Sequence, residues 1–259
     1  MFIVENSFEH VKDPEKKIKL NRIMDKIEMV SRNYTEESTD FLDPYERKLA
    51  KSLLNRFHDL KYTESGGLPD AERQIITIFP DYIEDLFTDD IRVLRLKGDL
   101  STLNHRDFLG ALMNLGIIRD KIGDILLHDE YTDIICKREI ADFLFFNLEK
   151  VGNKNVSVKH SSIEELVPIK SEFKEIFKII SSLRLDSYIS ACYNLSRNNS
   201  MKIIKSGKVK VNWQEIDKAS IELEEGDVVS VKGYGRSILY STEGFTKKNN
   251  IKTTIRILI

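Results

Sequence analysis

The segment 91–159 orders its apolar and amphipathic stretches in a way that few folds share. Apolar runs with the length of strands occupy 91–96, 124–128, 132–136 and 155–159. Two stretches with helical periodicity, 105–115 and 138–150, lie between the first and second runs and between the third and fourth. The sequence therefore predicts the order strand, helix, strand, strand, helix, strand.

This order is the split βαβ plan of ferredoxin-like and RNA-recognition-motif (RRM) domains. The limits of the first predicted helix support it, because Asn104 can cap the helix, Asp107 follows three residues later and Gly116 comes after its last turn. RRM domains normally present aromatic side chains on their central strands for base stacking. The run 124–128 offers His128 and no Phe or Tyr, so base stacking on this sheet is not expected.

The residues before this segment predict an N-terminal helical region. An amphipathic helix is expected over 10–32. A second helix is expected after Asp43, because Glu46 stands where it completes a capping box. A short buried strand is expected over 74–79.

The C-terminal part of the chain differs from the rest in charge. Residues 181–259 hold 13 Lys and Arg against 8 Asp and Glu, a net charge of +5, whereas residues 1–180 carry −7. This change of sign predicts separate domains, which we place at 1–89 (N-terminal helical α/β region), 90–170 (ferredoxin-like, RRM-like middle domain) and 181–259 (C-terminal module). A short helical linker is expected over 171–181. The predicted fold class is α+β.

The charged residues between Ser187 and Gln214 are all cationic. They are Arg197, Lys202, Lys205, Lys208 and Lys210. Clustered Lys and Arg bind the phosphates of nucleic acids and release counterions. The alternative is a solvated charged face, which is the usual fate of lysines taken singly, but the joint pattern favours nucleic acid.

The surrounding residues predict two short helices followed by a small hairpin. Arg184-Leu185-Asp186 opens the first helix, Ser196 caps the second, and Gly207 is placed to end it. The strand 208–212 has lysines on one side and valines on the other, and 228–232 is its expected partner.

This module resembles the S-four (S4) RNA-binding domain, which consists of two packed helices and a small sheet. The matching motifs are Arg184-Leu185-Asp186, Ser196-Arg197, residues 205–209, Val211-Asn212, Glu225-Gly226-Asp227 and residues 233–236. The resemblance implies an RNA-binding set of Arg184, Ser196, Arg197, Ser200, Lys202, Lys205, Ser206, Lys208, Lys210, Asn212 and Arg236. Trp213 stands where the family usually has Gly, so a tight left-handed turn there is expected to be strained. Either the turn is wider, or it presents the Trp213 ring to RNA.

His105, Arg106 and Arg119 are candidates for a second RNA surface. A helix start that carries a cation suits phosphate. The alternative is a capped helix with an ordinary surface arginine, in which Arg106 pairs with Asp107.

No catalytic, metal or cofactor site is expected. The five histidines lack metal-ligand spacing, and glycine-rich phosphate loops and nucleophile elbows are absent from the sequence. Cys136 and Cys192 form no Cys-x-x-Cys pair, which favours a reducing compartment. We find neither a signal peptide nor an apolar stretch of about 18 residues, so a cytoplasmic protein without membrane insertion is expected.

Further motifs are similar to those of the bacterial YlmH family, whose members end in an S4 domain. They are residues 103–112, Leu115-Gly116-Ile117, Arg119, residues 121–125, Asp43-Pro44-Tyr45-Glu46 and Ala71-Glu72-Arg73. The resemblance implies a non-enzymatic protein that binds ribosomal RNA of the large subunit and peptidyl-tRNA in the rescue and quality control of stalled translation. Some members are also linked to cell-division proteins. The alternatives are an RNA-modification enzyme and a cell-division accessory protein.

Overall fold

The computed structural model describes residue 11 and residues 13–84, 89–169 and 172–258. Its internal contacts divide the chain into two compact units, Met1–Ile169 and Lys170–Ile259. Both units combine helices with antiparallel sheets, which confirms the predicted α+β class. Among the described helices, none is long and apolar enough to span a lipid bilayer.

The first unit begins with a helical region whose sheet has three strands. Its elements are α1 (Pro14–Asn33), β1 (Glu37–Ser38), α2 (Pro44–Leu54), β2 (Leu60–Ser65) and β3 (Ile75–Pro80), and the strand order is β1-β3-β2. The expected helix start at residue 10 lies outside the described residues. Asp43 and Glu46 form the predicted capping box at the start of α2. The buried side of α1 packs with α2 and β3 in one apolar core.

The middle region has the predicted order of strands and helices. Its elements are β4 (Ile91–Gly98), α3 (His105–Asn114), β5 (Ile122–Leu127), β6 (Thr132–Lys137), α4 (Arg138–Asn147), β7 (Lys150–Val151) and β8 (Lys154–Ser161). The sheet order is β5-β6-β4-β8-β7, so the first predicted strand lies between the third and the fourth, as in the split βαβ plan. The short strand β7 was not predicted. Both helices pack around Leu94, Phe108, Leu112, Ile134 and Leu144.

The N-terminal and middle regions meet at a buried boundary within the first unit. Phe41 is fully buried and shares an apolar cluster with residues of β3, β4, β5 and β6. Arg73 donates to the backbone oxygens of Phe41 (2.7 Å) and Ile122 (3.2 Å). The Asp124 carboxylate accepts hydrogen bonds from the backbone N–H groups of Glu72 and Arg73 at 2.7 and 3.0 Å, and burial raises its pKa. These contacts join the two regions into one compact unit.

The second unit packs two helices against one face of a six-stranded sheet. Its elements are β9 (Phe173–Ile180), α5 (Leu185–Tyr193), α6 (Arg197–Lys205), β10 (Val209–Val211), β11 (Gln214–Glu215), β12 (Val228–Val231), β13 (Gly235–Phe245) and β14 (Ile251–Leu258). The sheet order is β11-β10-β12-β13-β14-β9. Tyr188 is fully buried in the core, and its hydroxyl lies 3.0 Å from that of Ser237. Other core residues are Leu185, Ile189, Ile204, Leu239 and Ile255.

The predicted helical linker over 171–181 is wrong for the residues that the structure describes. Residue 171 lies outside them, and 173–180 form β9, which pairs with β14 from Phe173 opposite Leu258 to Ile180 opposite Ile251. The segment is short, and its spacing of apolar and charged residues did not exclude a helix. Hydrogen bonds to a strand at the far end of the module decide its conformation, and local periodicity does not reveal such a distant partner.

Candidate nucleic-acid interface

A buried carboxylate joins the starts of α5 and α6. The side chain of Asp186 is only 1% exposed, and it accepts hydrogen bonds from Nε of Arg184 (3.1 Å) and from Nε of Arg197 (2.8 Å). Burial acts to raise the pKa of Asp186, but hydrogen bonds from the two guanidinium groups outweigh it and hold the pKa below its ordinary value. A guanidinium has five N–H donors, so Asp186 occupies only part of each. It therefore holds two cations of the predicted RNA-binding set in place.

Helix α6 presents further cations on its exposed side. Ser196 caps the helix, since its Oγ accepts a hydrogen bond from the backbone N–H of Asn199 at 3.2 Å. Arg197 is the first helical residue, where backbone N–H groups and the helix dipole also attract anions. Lys202 and Lys205 are exposed on the side away from the core. The helix thus offers a capped, cationic start and two lysines along its length.

The two serines assigned to the RNA-binding set lie in different environments. Ser200 is fully buried, and its Oγ donates to the carbonyl of Ser196 at 3.2 Å. The prediction that Ser200 contacts RNA is therefore wrong. The helical rotation turns this residue towards the core, where it serves in packing. Ser206 is exposed just after α6, and its Oγ donates to the carbonyl of Ile203 at 2.8 Å. This bond satisfies an acceptor at the helix end.

The lysines of β10 continue the run of cations beyond α6. Gly207 makes the link with φ of 69°, a left-handed conformation that suits glycine, and a Cβ there would lie 2.5 Å from Oε1 of Glu215. Lys208 and Lys210 are exposed, whereas the two valines that alternate with them are buried. The strand therefore turns its lysines outward and its valines into the core.

The strand register adds two cations to the outer face of the sheet. The backbone N–H of Lys232 donates to the carbonyl of Lys208 at 2.9 Å, which places the two residues side by side. Lys210 lies opposite Ser230, which lies opposite Arg236 on the next strand. Paired residues of neighbouring strands point to the same face. Lys232 is absent from the predicted RNA-binding set, although its position at the end of the predicted partner strand of β10 was a usable signal.

We call the cations that α5, α6 and the outer face of the sheet present, taken as a set, the cationic surface. Its members are Arg184, Arg197, Lys202, Lys205, Lys208, Lys210, Lys232 and Arg236. The carboxylates of Asp186 and Glu215 lie beside it.

A tight two-residue turn joins β10 to β11. Asn212 has φ of 48° and Trp213 has φ of 65°, and the strands pair directly on either side, as in a type I′ turn. Of the two alternatives for this position, the wider turn is wrong. The side chain of Asn212 donates to Asp227 at 2.7 Å and accepts from the backbone N–H of Val228 at 2.9 Å, so it positions the turn. The guanidinium of Arg236 lies 5.2 Å from the centre of the Trp213 ring.

The structure does not bring the candidate second surface together. His105 and Arg106 are exposed at the start of α3. Arg119 lies beyond the other end of this helix, which is about 15 Å long. Its Nη1 donates to the carbonyls of Ile122 (2.5 Å) and Gly123 (3.1 Å), and burial lowers its pKa to about 10. Arg119 therefore shapes the chain before β5 and does not extend a surface around His105 and Arg106.

Three family models match consecutive parts of this chain. The model of the YlmH N-terminal region matches residues 15–83, the model described as "Putative RNA-binding domain in YlmH" matches 87–165, and the S4 domain model matches 183–229. The ribosome-associated protein quality control protein P2 of Bacillus subtilis is 34% identical over 231 residues, which cover 87% of this chain and 89% of that protein. The chain belongs to the YlmH family.

Two other known proteins resemble this YlmH-family chain over shorter parts. The solved structure of cell division protein ylmH from Streptococcus pneumoniae is 25% identical, with a TM-score of 0.53 over 60% of this chain and 96% of that one. An uncharacterized RNA pseudouridine synthase of Aquifex aeolicus is 35% identical over 51 residues, which are 20% of this chain and 21% of that protein. The S4 match contains α5, α6, β10 and the Asn212-Trp213 turn. This YlmH-family protein therefore binds RNA, and most of its cationic surface lies within an RNA-binding domain.

Proposed function

We propose that this protein binds structured ribosomal RNA and peptidyl-tRNA on the large ribosomal subunit, without catalysing a reaction, in the rescue and quality control of stalled translation. The cationic surface carries the proposal, because a helix start, a helix face and a sheet face of the second unit all present Lys or Arg. The name of the Bacillus subtilis relative, a ribosome-associated quality control protein, supports a role at the ribosome.

The chemistry of the cationic surface suits phosphate more than bases. Lysines act as point charges, and guanidinium groups present a planar fork to phosphate oxygens. Such contacts fix position and orientation on the RNA backbone but read little base sequence. We therefore expect the protein to recognise the shape of folded RNA.

The non-enzymatic part of the proposal rests on the same side chains. The acid beside these cations, Asp186, is held between Arg184 and Arg197 with a lowered pKa, so it is a poor proton acceptor. The pseudouridine synthase relative shares only about a fifth of this chain, which is too little to carry its activity over.

Sucrose-gradient sedimentation of cell lysates tests the proposed ribosome contact. We expect the wild-type protein to migrate with large subunits and the Arg197→Glu/Lys205→Glu variant to remain at the top of the gradient. Lys247→Glu/Lys248→Glu is the matched control, because it reverses two exposed lysines between β13 and β14, at the far end of β13 from Arg236. Unchanged migration of the first variant would reject the cationic surface as the contact site.

The main alternative is a cell-division accessory protein. The name of the Streptococcus pneumoniae protein, cell division protein ylmH, favours this alternative. A fluorescent fusion that collects at the septum, in cells whose large subunits carry none of the protein, would support this alternative and contradict the ribosomal proposal.

A further inference from the structure

Trp213 occupies a backbone conformation that its side chain disfavours. Its φ of 65° is left-handed, and the residue before it is left-handed as well. Asn and Gly adopt this conformation readily, whereas for other residues it costs free energy and is found mainly where surrounding structure or function maintains it. Trp213 is also the only tryptophan in the chain. A glycine would close the same turn without strain. The requirements of the turn therefore do not explain why a tryptophan occupies this position.

The surroundings of the ring point to RNA. Arg236 lies 5.2 Å from the ring centre, and it belongs to the row of paired positions that runs through Ser230 to Lys210 on the outer face of the sheet. The ring is partly exposed at the edge of this face. The largest aromatic side chain of the chain thus stands at the end of a row of cations, beside a guanidinium that is itself planar.

We propose that Trp213 and Arg236 form a stacking site for one unpaired RNA base, next to the phosphate contacts of Lys208 and Lys210. The proposal rests on the proposed RNA-binding function of the cationic surface and adds a ligand class to it: RNA with a bulged, looped or terminal nucleotide.

The combination of an aromatic ring, a guanidinium and flanking lysines suits an unpaired nucleotide. Every base has a π face that stacks on an indole or a guanidinium plane, so the site takes any base. The phosphates on either side of an extruded base then meet the lysines of β10. In a fully paired helix the bases are stacked on one another, so no base face is available to stack on the indole ring.

Fluorescence provides a direct test because the chain has a single tryptophan. The probes are a short blunt-ended RNA duplex with one bulged adenosine and the same duplex without the bulge, so that the second RNA has no loop or overhang. Affinity is measured by filter binding, and indole emission is recorded during each titration. We expect the bulged RNA to quench the emission and to bind roughly 5- to 150-fold more tightly than the paired RNA, the range that corresponds to stacking of one base.

Two variants of the same residue separate the ring from the turn. Trp213→Gly removes the ring and suits the left-handed backbone, whereas Trp213→Ala removes the ring and keeps the strain. Both are expected to lose the preference for the bulged RNA, and Trp213→Phe is expected to retain part of it. Equal binding of the two RNAs by the wild type without quenching, or a preference that survives Trp213→Gly, would overturn the stacking site.

A double variant outside the stacking site distinguishes failure of the stacking site from failure of the proposed function. Arg197→Glu/Lys205→Glu is expected to weaken both RNAs equally. If it weakens both while the wild type shows no preference and no quenching, the stacking proposal fails and the cationic surface stands. If it weakens neither, the proposed function fails at this surface.

Discussion

Asp186 and Arg197 belong to different helices, yet Oδ2 of the carboxylate lies 2.8 Å from Nε of the guanidinium. Asp186 lies in the first turn of α5 and Arg197 begins α6. The buried carboxylate of Asp186 therefore holds Arg197, a cation of the proposed RNA surface, in place. In the sequence Asp186 resembles an ordinary acid at a helix start, but in the fold it also positions this cation.

Asp186→Asn is expected to lower the free energy of unfolding of the second unit by about 2 kcal/mol, because charge-assisted hydrogen bonds from two arginines are lost. Urea unfolding followed by Trp213 emission measures this change, since Trp213 lies in that unit. Glu224→Gln, an exposed neutralisation in the same unit, is the control and is expected to change little. Equal stability of wild type and Asp186→Asn would contradict the structural role of the pair.

The stability difference between wild type and Asp186→Asn is expected to depend on pH. Burial acts to raise the folded-state pKa of Asp186, but the hydrogen bonds and positive charges of Arg184 and Arg197 together outweigh it, so this pKa is depressed. Its contribution is therefore complete above the unfolded value of about 3.9 and is lost as the pH falls through the lower folded value. Unfolding measured from pH 7 downward should show the difference shrinking below about pH 4. A difference that stays constant there would contradict the assignment.

Lys208→Gln/Lys210→Gln is expected to reduce the salt dependence of RNA binding. Each phosphate contact with unpaired RNA contributes about 0.7 to the slope of log K against log salt, so the slope should flatten by about 1.4. Titrations of wild type and variant at several salt concentrations measure this. Lys247→Gln/Lys248→Gln should leave the slope unchanged. If both double variants flatten the slope equally, the lysines of β10 do not contact RNA phosphates more closely than other exposed lysines do.

Arg119 and Arg106 are expected to behave in opposite ways. Arg119→Ala removes hydrogen bonds to two backbone carbonyls and should destabilise the first unit by about 2 kcal/mol, while RNA affinity stays the same. Arg106→Ala, at an exposed position, should change stability by less than about 0.5 kcal/mol. Calorimetric unfolding and RNA titration of both variants test this. If an Arg119→Ala protein folds stably but binds RNA more weakly, Arg119 contacts RNA and the structural assignment is wrong.

Trp213→Gly is expected to be more stable than Trp213→Ala by about 1 kcal/mol, because alanine retains the cost of a left-handed backbone that glycine does not have. Thermal unfolding followed by circular dichroism measures the difference without needing the indole. If alanine equals or exceeds glycine in stability, residue 213 does not adopt the left-handed conformation in solution.

Local signals sufficed for most of the fold. Asp43 with Glu46, and Asn104 with Asp107, form the capping boxes that the sequence predicts. The order of strands and helices over 91–159 follows from periodicity as well. These features depend on residues a few positions apart, and such residues meet in any fold that contains the element.

Segment 173–180 and Ser200 show where local signals fail. The first is a strand only because β14 pairs with it, and the second is buried by the packing of α6 although its residue type suits a surface. Arg119 likewise carries the charge of an RNA contact but donates to carbonyls of its own chain. In each case a contact outside the local element decides the outcome.

Motif spacing, periodicity and charge are properties of the linear chain, so they suffice to predict the family, the α+β class and the concentration of cations in the C-terminal module. The folded structure is needed to show which cations share the outer face of the sheet, that Asp186 holds two others, that Lys232 lies beside Lys208 and that Trp213 sits in a tight turn beside Arg236. Strand register and helix packing set these relationships, and both arise from contacts between residues that are distant in the chain.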